Sequence, residues 1–202
     1  MIPKIIYMCH KKLDNIKIYS QNWKKLNPDW NIKLYDNKLC QDFLLNEYGG
    51  LYLNIFNYIR DGPIKSDFWR VCILNKYGGL YVDADIKPVL KLDQYIEEGD
   101  NFVTCISRLP PIHHLNPHFI LSYKNNFILQ DCIDKYISMY LEKSKYSYWR
   151  WSIVHVMNND LFKRIIKDKK SQIIIYNDKK YKFLFEKSLN ETEFLGNLVF
   201  YN

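Results

Sequence analysis

At 202 residues, 48% hydrophobic and 25% charged, the chain has the size and composition of one soluble domain, large enough to bury about two thirds of its unfolded surface. A formal net charge of +7 admits an anionic partner, but the lysines are scattered and the densest cluster, Lys167-Asp168-Lys169-Lys170, carries its own acid. No basic-aromatic RNA-binding signature accompanies them, and five cysteines (9, 40, 72, 105 and 132) without a CxxC pair argue against a metal cage or a disulfide framework, leaving reduced, mostly buried thiols as the expectation.

The first element is PKIIYMC, Pro3 to Cys9, an apolar and β-branched run that reads as a buried strand. It is too short for a signal peptide and is broken by Pro3 and Lys4, and no later stretch approaches the ~20 apolar residues of a membrane span. A single cytoplasmic domain over 1–202 is expected. Ile16, Ile18, Tyr19, Trp23 and Leu26 form the apolar face of a helix over Asp14 to Leu26, stopped by Asn27-Pro28-Asp29. WNIKLYD alternates as a half-buried strand, and Lys38 to Tyr48 is helical until Gly49-Gly50. Asp61-Gly62-Pro63 opens a helix to Tyr77, with Pro in the tolerated first turn and Gly78 as its left-handed cap. GLYVDAD comes next as a strand. Beyond Pro88, strands are expected at Asn101 to Ser107 and Phe119 to Tyr123, helices at Asn126 to Leu141 and Tyr148 to Asn158, and a closing strand pair at SQIIIYN and YKFLFE. Alternation of strand and helix specifies an α/β fold, and right-handed crossovers make a mixed, mostly parallel sheet flanked by helices the expected architecture.

One stretch is written twice. NEYGGLYLNIF, Asn46 to Phe56, returns twenty-nine residues later as NKYGGLYVDAD, Asn75 to Asp85. Only the second copy ends in carboxylates, and only the second is preceded by an Asp-x-x-Arg pair, Asp67 and Arg70, three apart on one helix face. The helix holding that pair is apolar on nearly every side, so the pair is either a buried ion pair fixing the helix or part of a ligand site, and the residues alone leave both readings open. Asp83-Ala84-Asp85 lies at a strand end, where ligand crevices of open α/β sheets form. Two carboxylates there are either a polar turn before Pro88 or a seat for a hard divalent cation completed by a diphosphate. The first copy reads as a helix end and nothing more, which leaves one site.

Taken together, Ser66, Asp67, Arg70, Tyr77, Gly78, Gly79, Tyr81, Asp83, Asp85 and Pro88, within Ile64 to Asp93, resemble the glycosyltransferase sugar-binding region with a DxD motif. That family includes the family-32 mannosyltransferase-like enzymes and, more distantly, the large clostridial glucosylating toxins. IPKIIY and NWKKLNPDWNIKLYD resemble its opening strand, helix and strand, and the likeness extends to about residue 140. It implies a GT-A, Rossmann-like fold and a metal-dependent, retaining hexosyltransferase that moves a sugar from a nucleotide-diphosphate donor, UDP-glucose for instance, to a glycan or other hydroxyl acceptor. By the same resemblance Asp85 binds Mn²⁺ or Mg²⁺ directly, Asp83 sits between ribose, sugar and metal-bound water, and Asp67 and Arg70 hold donor hydroxyls or the diphosphate edge. Ile5, Ile6 and Tyr7 then flank the nucleoside, with His10 where the family has an aromatic.

Some positions stay apart from the family pattern. Trp149 and Trp151, in YSYWRWSIVHV, are either an acceptor platform or core aromatics. Asn197 and Asn202 are weak stand-ins for the C-terminal metal ligand, and His113-His114 reads as a surface loop. A non-catalytic nucleotide-sugar or glycan-binding module of the same fold is the alternative, and a basic nucleic-acid-binding domain, with no nucleic acid otherwise expected, is a third reading.

Overall fold

A computed structural model describes residues 2–202. The central strand β1 (Ile5–Cys9) lies parallel to β2 (Asn31–Tyr35) on one side and to β3 (Gly79–Val82) on the other, with Tyr7 opposite Lys33 and Tyr81. Helix α1 (Leu13–Leu26) makes the first crossover. Three helices fill the second: α2 (Asn37–Tyr48), α3 (Gly50–Tyr58) and α4 (Gly62–Tyr77). Asp36 caps α2, its carboxylate accepting from the Leu39 amide at 2.9 Å. The chain continues through β4 (Lys87–Pro88), a 3₁₀ turn, β5 (Asp100–Ile106), β6 (Phe119–Ser122) and α5 (Phe127–Leu141). Three short helices come next, α6 (Tyr148–Trp151), α7 (Ile153–Val156) and α8 (Asp160–Ile165), then β7 (Gln172–Tyr176), β8 (Lys179–Glu186), β9 (Glu191–Phe194) and β10 (Asn197–Tyr201).

Among the described residues the strands form one sheet in the order β2-β1-β3-β6-β5-β8-β9-β10-β4, with β7 also on β8. Alternation divides its core between two faces. Ile6, Met8, Leu80 and Val82 face α1 through Ile16 and Trp23, whereas Tyr7, Cys9 and Tyr81 face α4 through Trp69 and its neighbours. Covering both faces explains the near-continuous apolar runs of β1 and β3. All five cysteines are buried and free. Among the described residues no helix is long and apolar enough to cross a membrane.

The sheet is mixed, as expected, but parallel pairing is confined to β1–β2, β1–β3 and β5–β8, and the other pairs are antiparallel. The reason is connection length. Pairs such as β7–β8 and β9–β10 are joined by turns too short for a parallel crossover. The helix expected over Tyr148 to Asn158 breaks at Ser152, whose backbone is extended (φ −69°, ψ 147°). Helix α8 and the β9–β10 hairpin were not anticipated. Strand β3 stops at Val82, which leaves Asp83 and Asp85 in a turn.

Candidate active site

The turn after β3 is held from both sides. The Asp83 amide donates to the His118 carbonyl at 2.9 Å, and the Ile86 amide closes the turn on the Asp83 carbonyl at 3.3 Å. On the opposite face the indole N–H of Trp23 donates to the Ile86 carbonyl at 3.0 Å. Asp83 emerges half-buried and Asp85 exposed at the carboxyl edge of the sheet.

Arg70 organises their surroundings. Its guanidinium is 4% exposed and lies over the Tyr81 ring, 4.2 Å from the centroid. Nη2 bridges Asp67 Oδ1 at 3.0 Å and Asp83 Oδ1 at 2.9 Å, and Nη1 donates to the Pro117 carbonyl at 2.7 Å. The Tyr81 hydroxyl donates to the same Asp83 oxygen at 2.7 Å. The other Asp67 oxygen accepts from the Ile153 amide at 2.9 Å. One buried ion-pair network therefore fixes the DxD turn, the loop before β6 and the start of α7. Burial pushes the Asp67 carboxyl up to about 6, against the opposing pull of Arg70. Burial alone would weaken Arg70 as a cation, but the charge of Asp83 beside it, with Tyr81 and Asp67, outweighs that and raises its pKa.

A cleft of about 720 Å³ opens beside this network. Ser66, Arg70, Tyr81, Asp83 and Asp85 line it, and Lys11, Arg60 and Lys65 with the amino end of α4 bring positive charge to it. The Asp85 carboxylate takes no protein donor among the described residues, while Asp83 keeps one oxygen outside the network. That pair, in a cleft with these cations, fits a hard divalent ion whose remaining ligands come from a phosphate-bearing substrate. No group of three His, Cys, Asp or Glu able to hold a metal occurs among the described residues, so the protein offers the two carboxylates alone.

Residues 14–102 match the family described as the glycosyltransferase sugar-binding region containing DXD motif. An uncharacterized glycosyltransferase of Acanthamoeba polyphaga mimivirus is 26% identical over 145 residues, which span 65% of this chain and 58% of the relative, under two thirds of its length. The solved PaToxG glycosyltransferase superposes with a TM-score of 0.58 at 20% identity, over 81% of this chain and 68% of that one, and the fold is the expected GT-A arrangement. The galactosyltransferase LgtC, solved with donor and acceptor sugar analogs, superposes with a TM-score of 0.47 at 12% identity, over 76% of this chain and 69% of that one.

The matched segment contains Asp67, Arg70, Asp83 and Asp85, and the structure brings all four to one place. Asp67 is the one of them that does not line the cleft, because its oxygens are turned to Arg70 and α7. Ile5, Ile6 and Tyr7 do not line it either. Ile6 and Tyr7 are buried on opposite faces of the sheet, and β1 reaches the cleft only at Cys9, with His10 and Lys11 just beyond. Trp151 is fully buried and is corrected from acceptor platform to core, whereas Trp149 is 56% exposed. Asn197 and Asn202 lie outside the cleft lining, and the Asn202 side-chain carbonyl already accepts from Thr192 Oγ1 at 2.9 Å. His113 and His114 sit in the loop before β6. Sequence reasoning missed Arg60, Lys65 and Lys11, for no local pattern separates them from solvated surface cations. It also missed His118, whose buried ring packs edge-on against Phe200, with centroids 5.5 Å apart, and whose Nε2 has no partner.

Proposed function

We propose that the chain is a metal-dependent retaining glycosyltransferase that binds a nucleotide-diphosphate sugar in this cleft, a UDP-sugar such as UDP-glucose being favoured, and transfers the sugar to a hydroxyl acceptor. The observation that carries the reading is the juxtaposition of an unpartnered Asp85 and a network-locked Asp83 with Lys11, Arg60, Lys65 and the amino end of α4 in one cleft. Asp85 and the free oxygen of Asp83 would hold Mn²⁺ or Mg²⁺, which when bound supplies Lewis-acid stabilisation of the leaving diphosphate. The three cations oppose the negative charge that grows on the same group, and the amide groups at the start of α4 add to their effect. Asp83 cannot shift without breaking its bonds to Arg70 and Tyr81, so its second oxygen presents a fixed acceptor to a sugar or ribose hydroxyl. We assign no covalent nucleophile, because both carboxylates that line the cleft, Asp83 and Asp85, are given to the metal and the donor: the acceptor attacks from the front face and the leaving phosphate takes its proton. Five free, buried cysteines support a reducing, cytoplasmic setting.

The test is a titration of UDP- and GDP-sugars with and without Mn²⁺, following thermal stability and slow donor hydrolysis in the wild type and Asp85→Asn. Metal-dependent stabilisation by the UDP-sugar is expected, with hydrolysis reduced at least a hundredfold in the variant, on the order of 3 kcal/mol. Binding without turnover would instead support a nucleotide-sugar-binding module. No nucleotide effect at all would overturn both readings.

A further inference from the structure

Beside the cleft, α6 presents two consecutive aromatics that the transfer chemistry leaves unused. Tyr148 is 53% and Trp149 56% exposed. Burial first, then the charges of Asp67 and Asp61, raise the Tyr148 phenol, which marks that side of α6 as facing the buried carboxylates. Trp149 stands near two imidazoles, His114 at 5.7 Å and His155 at 6.5 Å between ring centroids, both tilted to the indole rather than stacked on it, and more than half of the residue stays exposed. Its position is not that of a loose surface side chain. Ser147 caps α6 at Arg150, the Ser152 hydroxyl donates to the Trp149 carbonyl at 2.8 Å, and the Trp151 carbonyl accepts from the buried Tyr136 hydroxyl at 3.0 Å. The two segments that meet at Trp149 are both tied to the donor-side network, the His114 loop through Pro117 and Arg70, and α7 through Ile153 and Asp67.

We propose that the acceptor is a carbohydrate and that its terminal ring stacks on Trp149 near His114 and His155. This rests on glycosyl transfer from the adjacent cleft. An exposed indole attracts the polarised C–H face of a pyranose, and imidazoles near it both donate to and accept from ring hydroxyls. Burial, with the neighbouring His113 and Lys169 next in weight, lowers the His114 pKa, keeping that ring neutral and able to do both at pH 7. The nearby cations are already engaged by protein oxygens: Lys135 by Asp131 and the Val156 carbonyl, Arg150 by Ser144, and Lys169 by the Arg108 carbonyl. The surroundings match neutral hydroxyls rather than a phosphate backbone. Arg70 and Asp67 thereby become positioning residues that hold acceptor shelf and DxD turn in one frame.

Trp149 offers its own readout, because Trp23, Trp30, Trp69 and Trp151 are all buried. Glucose, galactose, mannose, N-acetylglucosamine, lactose and maltose are titrated against the intact chain while tryptophan emission and its quenching by acrylamide are recorded, with a single-stranded oligonucleotide as comparison. At least one sugar is expected to shift the emission saturably and to protect it from acrylamide. Trp149→Ala should abolish both effects, Trp149→Phe should retain binding weakened about tenfold, and His114→Ala should weaken it several-fold. A sugar that binds equally well to Trp149→Ala, or a response to the oligonucleotide alone, overturns the proposal. Donor hydrolysis by the wild type without acceptor reads the cleft separately. Hydrolysis with no sugar response sinks the carbohydrate acceptor and leaves the donor site standing, whereas a Trp149-dependent sugar response without hydrolysis leaves the shelf standing and sinks the transferase reading.

Discussion

Arg70 and Asp67 illustrate how a buried charge can be structural and functional at once. A guanidinium suits this position because its planar fork reaches several acceptors in fixed directions while its flat face lies over the Tyr81 ring, which a compact ammonium on a flexible stem does not reproduce. Asp67 accepts an amide and a guanidinium yet has a raised pKa, since removal from water outweighs both. Its folded pKa of about 6 lies above the ordinary 3.8, so the protonated form is the one the fold favours. The stability this group contributes is fully present below about 3.8 and is lost as pH rises through about 6. In urea unfolding from pH 3.5 to 7, wild-type stability minus that of Asp67→Asn should therefore fall with rising pH, by at most about 1.4 kcal/mol per pH unit, and level off above the folded pKa. A difference independent of pH would mean that folding leaves the Asp67 pKa unchanged, and one that rises with pH that folding lowers it.

At the scale of elements, the repeated YGGLY shows the same peptide entering two structures. Gly49 and Gly78 end their helices alike, with φ of 87° and 68°, each amide donating to the carbonyl four residues back, Leu45 or Leu74. The copies part at the second glycine. Gly50 begins α3 in open space, while Gly79 has φ of 109° and starts β3 so close to β1 that a Cβ would lie 2.9 Å from the Ile5 carbonyl oxygen. Pairing with β1 and β6 therefore makes the second copy a strand rather than a helix, and that strand delivers Asp83 to the site. Gly50→Ala should be neutral or stabilise by up to about 1 kcal/mol, whereas Gly79→Ala should destabilise by about 2 kcal/mol or more. Thermal or urea unfolding of the two variants checks this, and equal effects would show that the close approach to β1 carries no constraint.

Across the whole molecule, the sheet is joined where β5 meets β8, and a buried charge cluster sits at that seam. Lys182 is fully buried and donates to Asp100 at 3.0 Å, Glu97 at 3.1 Å and the Tyr95 carbonyl at 3.0 Å, while Lys180 bridges Glu97 as well. Asp100 is buried too and is held besides by the Glu97 amide at 2.8 Å and Lys180 at 3.5 Å, so removing Lys182 takes its nearest cation from a buried carboxylate. Lys182→Met should cost about 3–5 kcal/mol, and pairing it with Asp100→Leu should recover most of that loss, because the penalty comes from the unpaired charge rather than from a missing contact. Urea midpoints of the single and double variants give the comparison. Additive losses would mean that Lys182 and Asp100 are uncoupled and that the cost of the single variant does not come from an unpaired Asp100.

What the sequence by itself determined is the part written in short-range pattern. The apolar period of Asp14 to Leu26, the Pro and Gly at the ends of α4, the alternation of β2 and the spacing of Asp67, Arg70, Asp83 and Asp85 are all local, and they place α1, α2, α4, the first three strands and the centre of the site. The late elements are less legible, since α8 is short and packs Phe162 on Phe102 of β5, and β10 pairs with the distant β4. Tertiary structure alone decided which groups converge on that centre. Arg70 selects the Pro117 carbonyl, Asp67 the Ile153 amide, and the cleft gathers Lys11, Arg60 and Lys65 from separate elements. Trp149 and Trp151 make the distinction plain: two residues apart in one short segment, they are alike in sequence terms. Tyr58, Tyr136 and Tyr146, from other parts of the chain, close around Trp151 and leave Trp149 to the surface, for burial is a property of what packs against a side chain and not of the side chain itself.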